Sequence, residues 1–517
     1  MKRLPIGISS FQKIIEGNYF YIDKSMFVEK LNQQAGYYFI SRPRRFGKSL
    51  FVDTLKQAFL GNKKLFKGLY LENNWDWDKT YPVIHISFGS GSAYNSESRL
   101  INIINDMLEE YANKYEINLD NKINDYGLRF NHLIRELHNK YNQEVVILVD
   151  EYDKPILDVI DNKELATTNR EILKGLYSVI KDNDQYLKLV FLTGVSKFSK
   201  AGLFSGLNNL NDISLDARYA DICGYTQANV ENELAEYINV GRVDLAKLKN
   251  WYNGYNFLGS SAQNVYNPFD ILVFFDKGCL YDYYWFQTGT PSFLVKLLIK
   301  NNYYLPNIET TLVSSTLINT FDVDNMPFVA LLFQTGYLTI NEVVVIDDIT
   351  SYKLKYPNLE VRMSLNAYLA QMGNTFETTN NNISKLRQII YDKQFDQVGS
   401  LLGSHFASIP YNWYTNNNIA SYEGFYASII YSLFCALGYE LIAEDTTSMG
   451  RIDLTIKTPD KVVILEFKLG IDESALDQIK SRGYADKYKA LGLPIYLLGI
   501  NFDPNSKNVA KYQWELA

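Results

Sequence analysis

The chain has 517 residues, a net charge of −7, and 47% hydrophobic against 21% charged residues. That length predicts two to four domains with sizeable cores, and the hydrophobic and charged fractions exclude a disordered chain. The acidic balance excludes a global basic field that would draw the protein to nucleic acid or anionic lipid, so any nucleic-acid contact must come from a local patch.

Cys223, Cys279 and Cys435 are far apart, and His85, His132, His138 and His405 lack metal-ligand spacing beyond a loose His132/His138 pair. No disulfide framework or zinc cluster is expected, and a reducing cytoplasm fits. Met1-Lys2-Arg3 is followed by an interrupted polar stretch, unlike a signal peptide. No run reaches the roughly 18 apolar residues of a membrane helix. The expectation is a soluble cytoplasmic protein without a membrane partner.

Residues 1–225 read as alternating strands and helices. GYYFIS (36–41) is a short apolar strand, and Phe51, Leu55, Ala58 and Phe59 recur at helical spacing before Gly61. VIHIS (83–87) is a second strand, followed by a long amphipathic segment from about 98 to 140. EVVILVD (144–150) and YLKLVFLTG (186–194) are continuous apolar runs, as in strands buried on both faces. This alternation predicts a parallel sheet covered by helices.

From Gly224 to about 300, aromatic turns such as WYNGYNF predict a small helical subdomain. Residues 326–372 read as helix, hairpin, helix, a pattern compatible with a winged-helix-like module, and Asn374–Ser384 is the best linker candidate. A last α/β unit starts near 385: an apolar-faced helix at 423–439, strands at 439–444, 451–457 and 461–469, a helix at 473–491 and a strand at 494–500. The expected division is 1–225, 226–300, 301–384 and 385–517.

Gly47-Lys48-Ser49 closes a loop between the first strand and its helix. A phosphate loop wraps phosphates in backbone N–H groups at a helix N-terminus, with lysine on the β/γ oxygens and a hydroxyl on Mg²⁺. Arg42 stands where such loops carry glycine, and Pro43 follows. Asp150 ends a buried strand, where it can hold Mg²⁺, and Glu151 can orient the attacking water. Thr193 and Ser196 end a later strand, where a polar group can sense the γ-phosphate. Three strand ends in this order are far more specific than GKS alone. Arg42, Arg44 and Arg45 read equally as a structural basic turn or as charge around the triphosphate.

LPIGISSFQKIIEGNYFYIDKS (4–25), RPRRFGKS (42–49), ILVDEYDKPI (147–156), FLTGVSKFSKAGLFSGLNNL (191–210) and CGYT (223–226) resemble the AAA-ATPase-like proteins of bacteria and some parasites. The resemblance covers most of residues 1 to about 280. It implies a P-loop ATPase sheet that binds ATP through the stretch Arg42, Arg44, Arg45, Phe46, Gly47, Lys48, Ser49 and Leu50, with Thr193 nearby. It also implies Mg²⁺ on Ser49 and Asp150, and a hydrolytic role for Glu151. Phe11, Tyr19 and Tyr21 are adenine-pocket candidates. Arg218 and Arg242 are available for a like chain's site, so a homo-oligomer is among the expectations; a protein partner is not identified.

In the last unit, Asp453 precedes Glu466-Phe467-Lys468 by twelve residues, and Glu466 and Lys468 share one sheet face. Two carboxylates and a lysine can hold a hard cation and steer a water onto a phosphodiester. Glu423 could add a third carboxylate, while Gln478 and Tyr484 could face the same region. This order of elements, with GRID and ILEFK, resembles the PD-(D/E)XK nuclease superfamily over about 415–505. It implies a small mixed α/β, restriction-endonuclease-like fold, catalytic Asp453, Glu466 and Lys468, and Mg²⁺ or Mn²⁺. The implied partner is DNA or RNA. The alternative reading is a nucleotide-dependent regulatory or binding protein whose nuclease fold is catalytically silent.

Overall fold

The computed structural model describes residues 1–34, 36–89, 93–119, 125–197, 203, 207, 209–258, 264–288, 304–309, 311–318, 327–371, 374–409 and 423–517. The chain forms two compact units. One holds Met1–Trp285 and Leu312–Pro357, the other Phe286–Thr311 and Asn358–Ala517.

The first unit is built on a five-stranded sheet. Its strands are β1 (Gly36–Ser41), β2 (Val83–Ser87), β3 (Val145–Asp150), β4 (Leu187–Gly194) and β5 (Asn211–Asp212), in the order β2-β3-β4-β1-β5. Every pairing is parallel, with Ile84 opposite Ile147, Ile147 opposite Val190, and Tyr38 opposite Phe191. All residues of β3 are buried, as a central parallel strand covered on both faces requires. The register brings the carboxyl ends of β1, β3 and β4 side by side, the edge where open α/β sheets bind ligands. The expected segment 98–140 is two helices, Glu97–Lys114 and Tyr126–Tyr141.

Beyond the sheet, β6 (Tyr225–Thr226) and β7 (Val265–Tyr266) pair antiparallel. Around them, helices Gln227–Glu233, Leu245–Tyr252 and Pro268–Asp276 enclose a core of Val230, Leu248, Tyr252, Tyr266, Ile271 and Phe274. These elements fall within the stretch 226–300 expected as a helical subdomain and belong to the first unit. Next in this unit, β8 (Leu312–Ser314), β9 (Thr339–Ile346) and β10 (Ile349–Lys355) form an antiparallel sheet. The hairpin β9–β10 belongs to this unit, whereas the helix after it, Leu359–Leu369, belongs to the other. The stretch expected as a winged-helix-like module is therefore divided.

The second unit carries the mixed sheet β11 (Glu440–Thr447), β12 (Gly450–Thr458), β13 (Lys461–Leu469), β14 (Ile495–Asp503) and β15 (Asn508–Leu516), in that order. Only β13 and β14 run parallel; the other neighbours are antiparallel. Helix Ala475–Ser481 makes the crossover between β13 and β14. It lies so close to the sheet that a Cβ on Gly499 would sit 2.3 Å from the backbone nitrogen of Leu476, so only glycine fits there. The polar stretch 374–384 is no linker. Thr375 caps helix Phe376–Asp392, which buries Thr379, Ile383, Leu386 and Ile390. Among the described residues, no helix is long and apolar enough to cross a membrane.

Candidate functional sites

The loop after β1 ends at Gly47, whose φ of +91° suits glycine and caps the start of helix Lys48–Phe59. No side chain caps that helix, so the N–H groups of its first turn are available to an anion. Lys48 is 7% exposed, and its ammonium donates to the carbonyls of Arg42 and Pro43 at 2.9 Å each. Burial lowers its pKa, and the nearby charges of Asp150 and Glu151 oppose that shift. Lysine and acids are thus gathered at one strand edge.

On that edge, Asp150 accepts 2.6 Å from Thr193 Oγ1 and 3.1 Å from the Glu151 backbone N–H. Glu151 itself has φ +54°, a costly conformation for a residue with a Cβ, exactly one position past the strand end. Burial, then the charge of Asp150, raises the pKa of its carboxyl. Asp153 was not singled out by sequence reading. It is 1% exposed and accepts from the backbone N–H groups of Val195 and Ser196 and from Ser196 Oγ, at 3.0, 2.6 and 2.5 Å. Ser196, a candidate phosphate sensor, is therefore engaged in fixing the turn after β4.

The basic residues of the loop separate by environment. Arg42 is 1% exposed; it donates to the carbonyls of Ser41, Ser214 and Tyr219 at 2.9, 2.8 and 3.3 Å, and its guanidinium lies 4.0 Å from the Phe257 ring centre. These bonds anchor the loop from beneath, the structural one of the two readings. Phe46 is likewise a buried anchor, against Tyr255 and Phe257. Arg44 and Arg45 are exposed. The carbonyl of Arg44 accepts from Asn267 Nδ2 and Trp285 Nε1, two holding groups with no local motif to announce them. Ser49 and Leu50 sit half-buried in the helix's first turn.

Other candidates fall elsewhere. Phe11 is fully buried against Tyr21 and Phe66, and Tyr19 lies under Arg3. Arg218 pairs with Asp216, and Arg242 ends helix Ala235–Gly241 on the surface.

In the second unit, the pairing of Leu454 with Leu465 sets Asp453 next to Glu466. The Asp453 N–H donates to Glu466 Oε2 at 3.4 Å, and the Phe467 N–H donates to Asp453 Oδ2 at 2.7 Å. Gln478 Nε2 donates to Glu466 Oε1. Burial pushes Asp453 up to about 7 and Glu466 to about 8, and the positive charge of Lys468 partly offsets both shifts. Tyr484 donates to the Arg451 carbonyl at 3.0 Å and so steadies β12 instead of facing the acids.

Glu423 Oε2 accepts from the Leu469 N–H at 3.0 Å. Among the described residues, no three carboxylate, histidine or cysteine side chains gather as a metal cage. The donor set fits Mg²⁺ nonetheless, because that ion usually takes one or two carboxylates and completes its shell with water and substrate phosphate. Burial disfavours the charged form of both carboxyls, a penalty that a bound cation would relieve. The uncapped helix and Lys48 fit a nucleotide phosphate in the same sense.

Residues 5–204 match the family described as predicted AAA-ATPase, and residues 421–512 match the PD-(D/E)XK nuclease superfamily. A protein of Azotobacter chroococcum mcd 1, described as an uncharacterized protein in vnfD 5'region, is 44% identical over 523 residues, covering 99% of this chain and 98% of its own length. The chain belongs to the AAA-ATPase-like proteins that end in a PD-(D/E)XK nuclease superfamily domain.

Proposed function

We propose that this protein is an ATP-binding switch joined to a metal-dependent nuclease that cleaves nucleic-acid phosphodiesters. The observation that carries the nuclease half is half-buried Asp453 set against buried Glu466 on adjacent strands, within the field of Lys468. A bound Mg²⁺ or Mn²⁺ would supply a nucleophilic water at neutral pH and charge neutralisation on the phosphoryl oxygens. Asp453 and Glu466 would hold that cation, with the Phe467 N–H and Gln478 fixing the two carboxylates. Lys468 would stabilise charge developing on the phosphate.

In the ATPase half, Lys48 and the first turn of its helix would bind the phosphates, and Ser49 and Asp150 would hold Mg²⁺. Thr193 orients Asp150. Glu151 would accept a proton from, or orient, the attacking water. Exchange of Lys48 from the Arg42 and Pro43 carbonyls to a phosphate would alter the loop that Asn267 and Trp285 hold.

The test is cleavage of labelled DNA and RNA by purified protein with Mg²⁺ or Mn²⁺, with and without ATP. Asp453→Ala and Lys468→Ala should abolish cleavage, and Lys48→Ala should abolish ATP binding. Cleavage by both nuclease variants at the parent rate would refute the site. A second reading, a nucleotide-dependent binder without cleavage, is favoured by the net charge of −7. It predicts salt-sensitive nucleic-acid binding that ATP alters, with no product under any metal.

A further inference from the structure

One rim of the two-carboxylate site is built from groups that the proposed hydrolysis does not use. β11 and β12 pair through Ala443 with Leu454 and Asp445 with Ile452, and the ladder is interrupted between them, at Glu444. Glu444 has φ +52°, in the left-handed region that residues with a Cβ rarely adopt. Such strain persists only where the surroundings impose it. Here they do: one carboxylate oxygen accepts from Tyr304 Oη and the other pairs with Arg451 Nε. The Glu444 side chain is 11% exposed, while that of Arg451 is 65% exposed.

Tyr304 comes from the segment Phe286–Thr311, more than a hundred residues before β11 in the chain. A solvent-exposed ion pair stabilises little by itself. What this arrangement achieves is orientation. Glu444 forms an ion pair at the Nε side of a guanidinium that has five N–H donors, and among the described residues no other ion-pair or hydrogen-bond partner takes the remaining donors. Arg451 stands two residues before Asp453, and the charge of Glu444 is felt at Asp453. A planar fork suits a phosphate diester, and an acidic chain needs such a local contact to hold one beside two carboxylates.

We propose that Arg451 grips a nucleic-acid backbone phosphate beside the Asp453–Glu466 pair, with Glu444 and Tyr304 as its positioning residues. This rests on the nuclease-like reading above and adds the residue that seats the strand.

The test uses the full chain carrying Asp453→Asn, so that binding is read without cleavage. The probes are a fluorescent duplex DNA and an RNA of the same sequence, titrated in Mg²⁺ over a series of KCl concentrations. Adding Arg451→Ala should weaken binding roughly tenfold and flatten the plot of log affinity against log salt by about one phosphate contact, about 0.9 for duplex DNA. Arg451→Lys should restore the slope but not the full affinity, because it keeps the charge and loses the fork. Glu444→Gln and Tyr304→Phe should leave the slope unchanged and weaken affinity.

Unchanged affinity and slope in Arg451→Ala, with the Asp453→Asn chain binding normally, overturns the proposal. So does a loss of affinity with the slope intact, since that marks a structural role. If the chain binds and cleaves neither nucleic acid, the nuclease-like reading itself fails and this proposal with it. Binding restricted to one probe identifies the strand chemistry and supports the proposal for that one.

Discussion

Thr193 donates its hydroxyl to Asp150 across 2.6 Å, bridging the adjacent strands β4 and β3 with both residues sealed from water. A buried hydrogen bond to a charged acceptor contributes about 1.5–3 kcal/mol, and losing this donor leaves the Asp150 carboxylate with the longer bond from the Glu151 N–H. Thr193→Val, which keeps the shape, should lower unfolding free energy by about 2 kcal/mol. ATP turnover should fall about tenfold or more as Asp150 loses its orientation. Denaturant unfolding and steady-state ATPase rates check both effects.

Arg42 and Arg44, two residues apart in one basic loop, should respond in opposite ways. Arg42→Ala removes the donors of three carbonyls, two of them in buried bonds, and should cost about 3 kcal/mol or more. Arg42→Lys should not restore that loss, because an ammonium cannot reproduce the fork. Arg44→Ala, at an exposed side chain, should stay within about 0.5 kcal/mol in stability while weakening ATP binding. Thermal melts with and without ATP separate the two.

The sheet of the first unit was legible because its central strands are buried on both faces, so VVILV carries an unbroken apolar signal and LKLVFL one interrupted only at Lys188. The Asp453–Glu466 pair was legible for a related reason: adjacent strands joined by a short turn leave little freedom in register. Arg42 was not, since charge in a sequence does not say which carbonyls will surround it. Asn380, Asn381 and Asn382 suggested a break, yet Thr379, Ile383, Leu386 and Ile390 already formed a helical stripe behind them. β15 escaped notice because it is an edge strand whose positions are all exposed or half-buried, with polar and apolar residues mixed. The placement of Phe286–Thr311 with the second unit depends on contacts distant in sequence, such as Tyr304 with Glu444, for which no local pattern exists.

The carboxylate pair predicts a graded response in metal binding. Asp453→Asn and Glu466→Gln each remove an anionic ligand and should reduce Mn²⁺ affinity about 10-fold to 100-fold by calorimetry. Gln478→Ala removes only the group that fixes Glu466 and should cost less, about tenfold at most. Chelation with EDTA should stop any cleavage, and added Mn²⁺ should restore it. Full Mn²⁺ affinity in Glu466→Gln would place the cation elsewhere.

His405 makes acid a selective stress on the second unit. Its side chain is fully buried, with Nε2 3.1 Å from the Ala370 carbonyl and Nδ1 3.2 Å from Asn382 Nδ2. Those partners suit one neutral tautomer, with Nε2–H donating to Ala370 and Nδ1 accepting from the Asn382 amide. Burial lowers its pKa from 6.5 to about 4. The unfolded chain therefore binds a proton that the folded chain refuses between those values. The contribution is complete above about pH 6.5, declines as pH falls toward about 4, and levels off below that. Its size is about 3 kcal/mol, at 1.36 kcal/mol for each unit between the two pKa values. Denaturant melts at intervals across this window should show that loss beyond what the carboxylates cause. His405→Gln can keep hydrogen bonds to both partners without titrating, so it should flatten the profile there. An identical slope in that variant would assign the acid sensitivity to other groups.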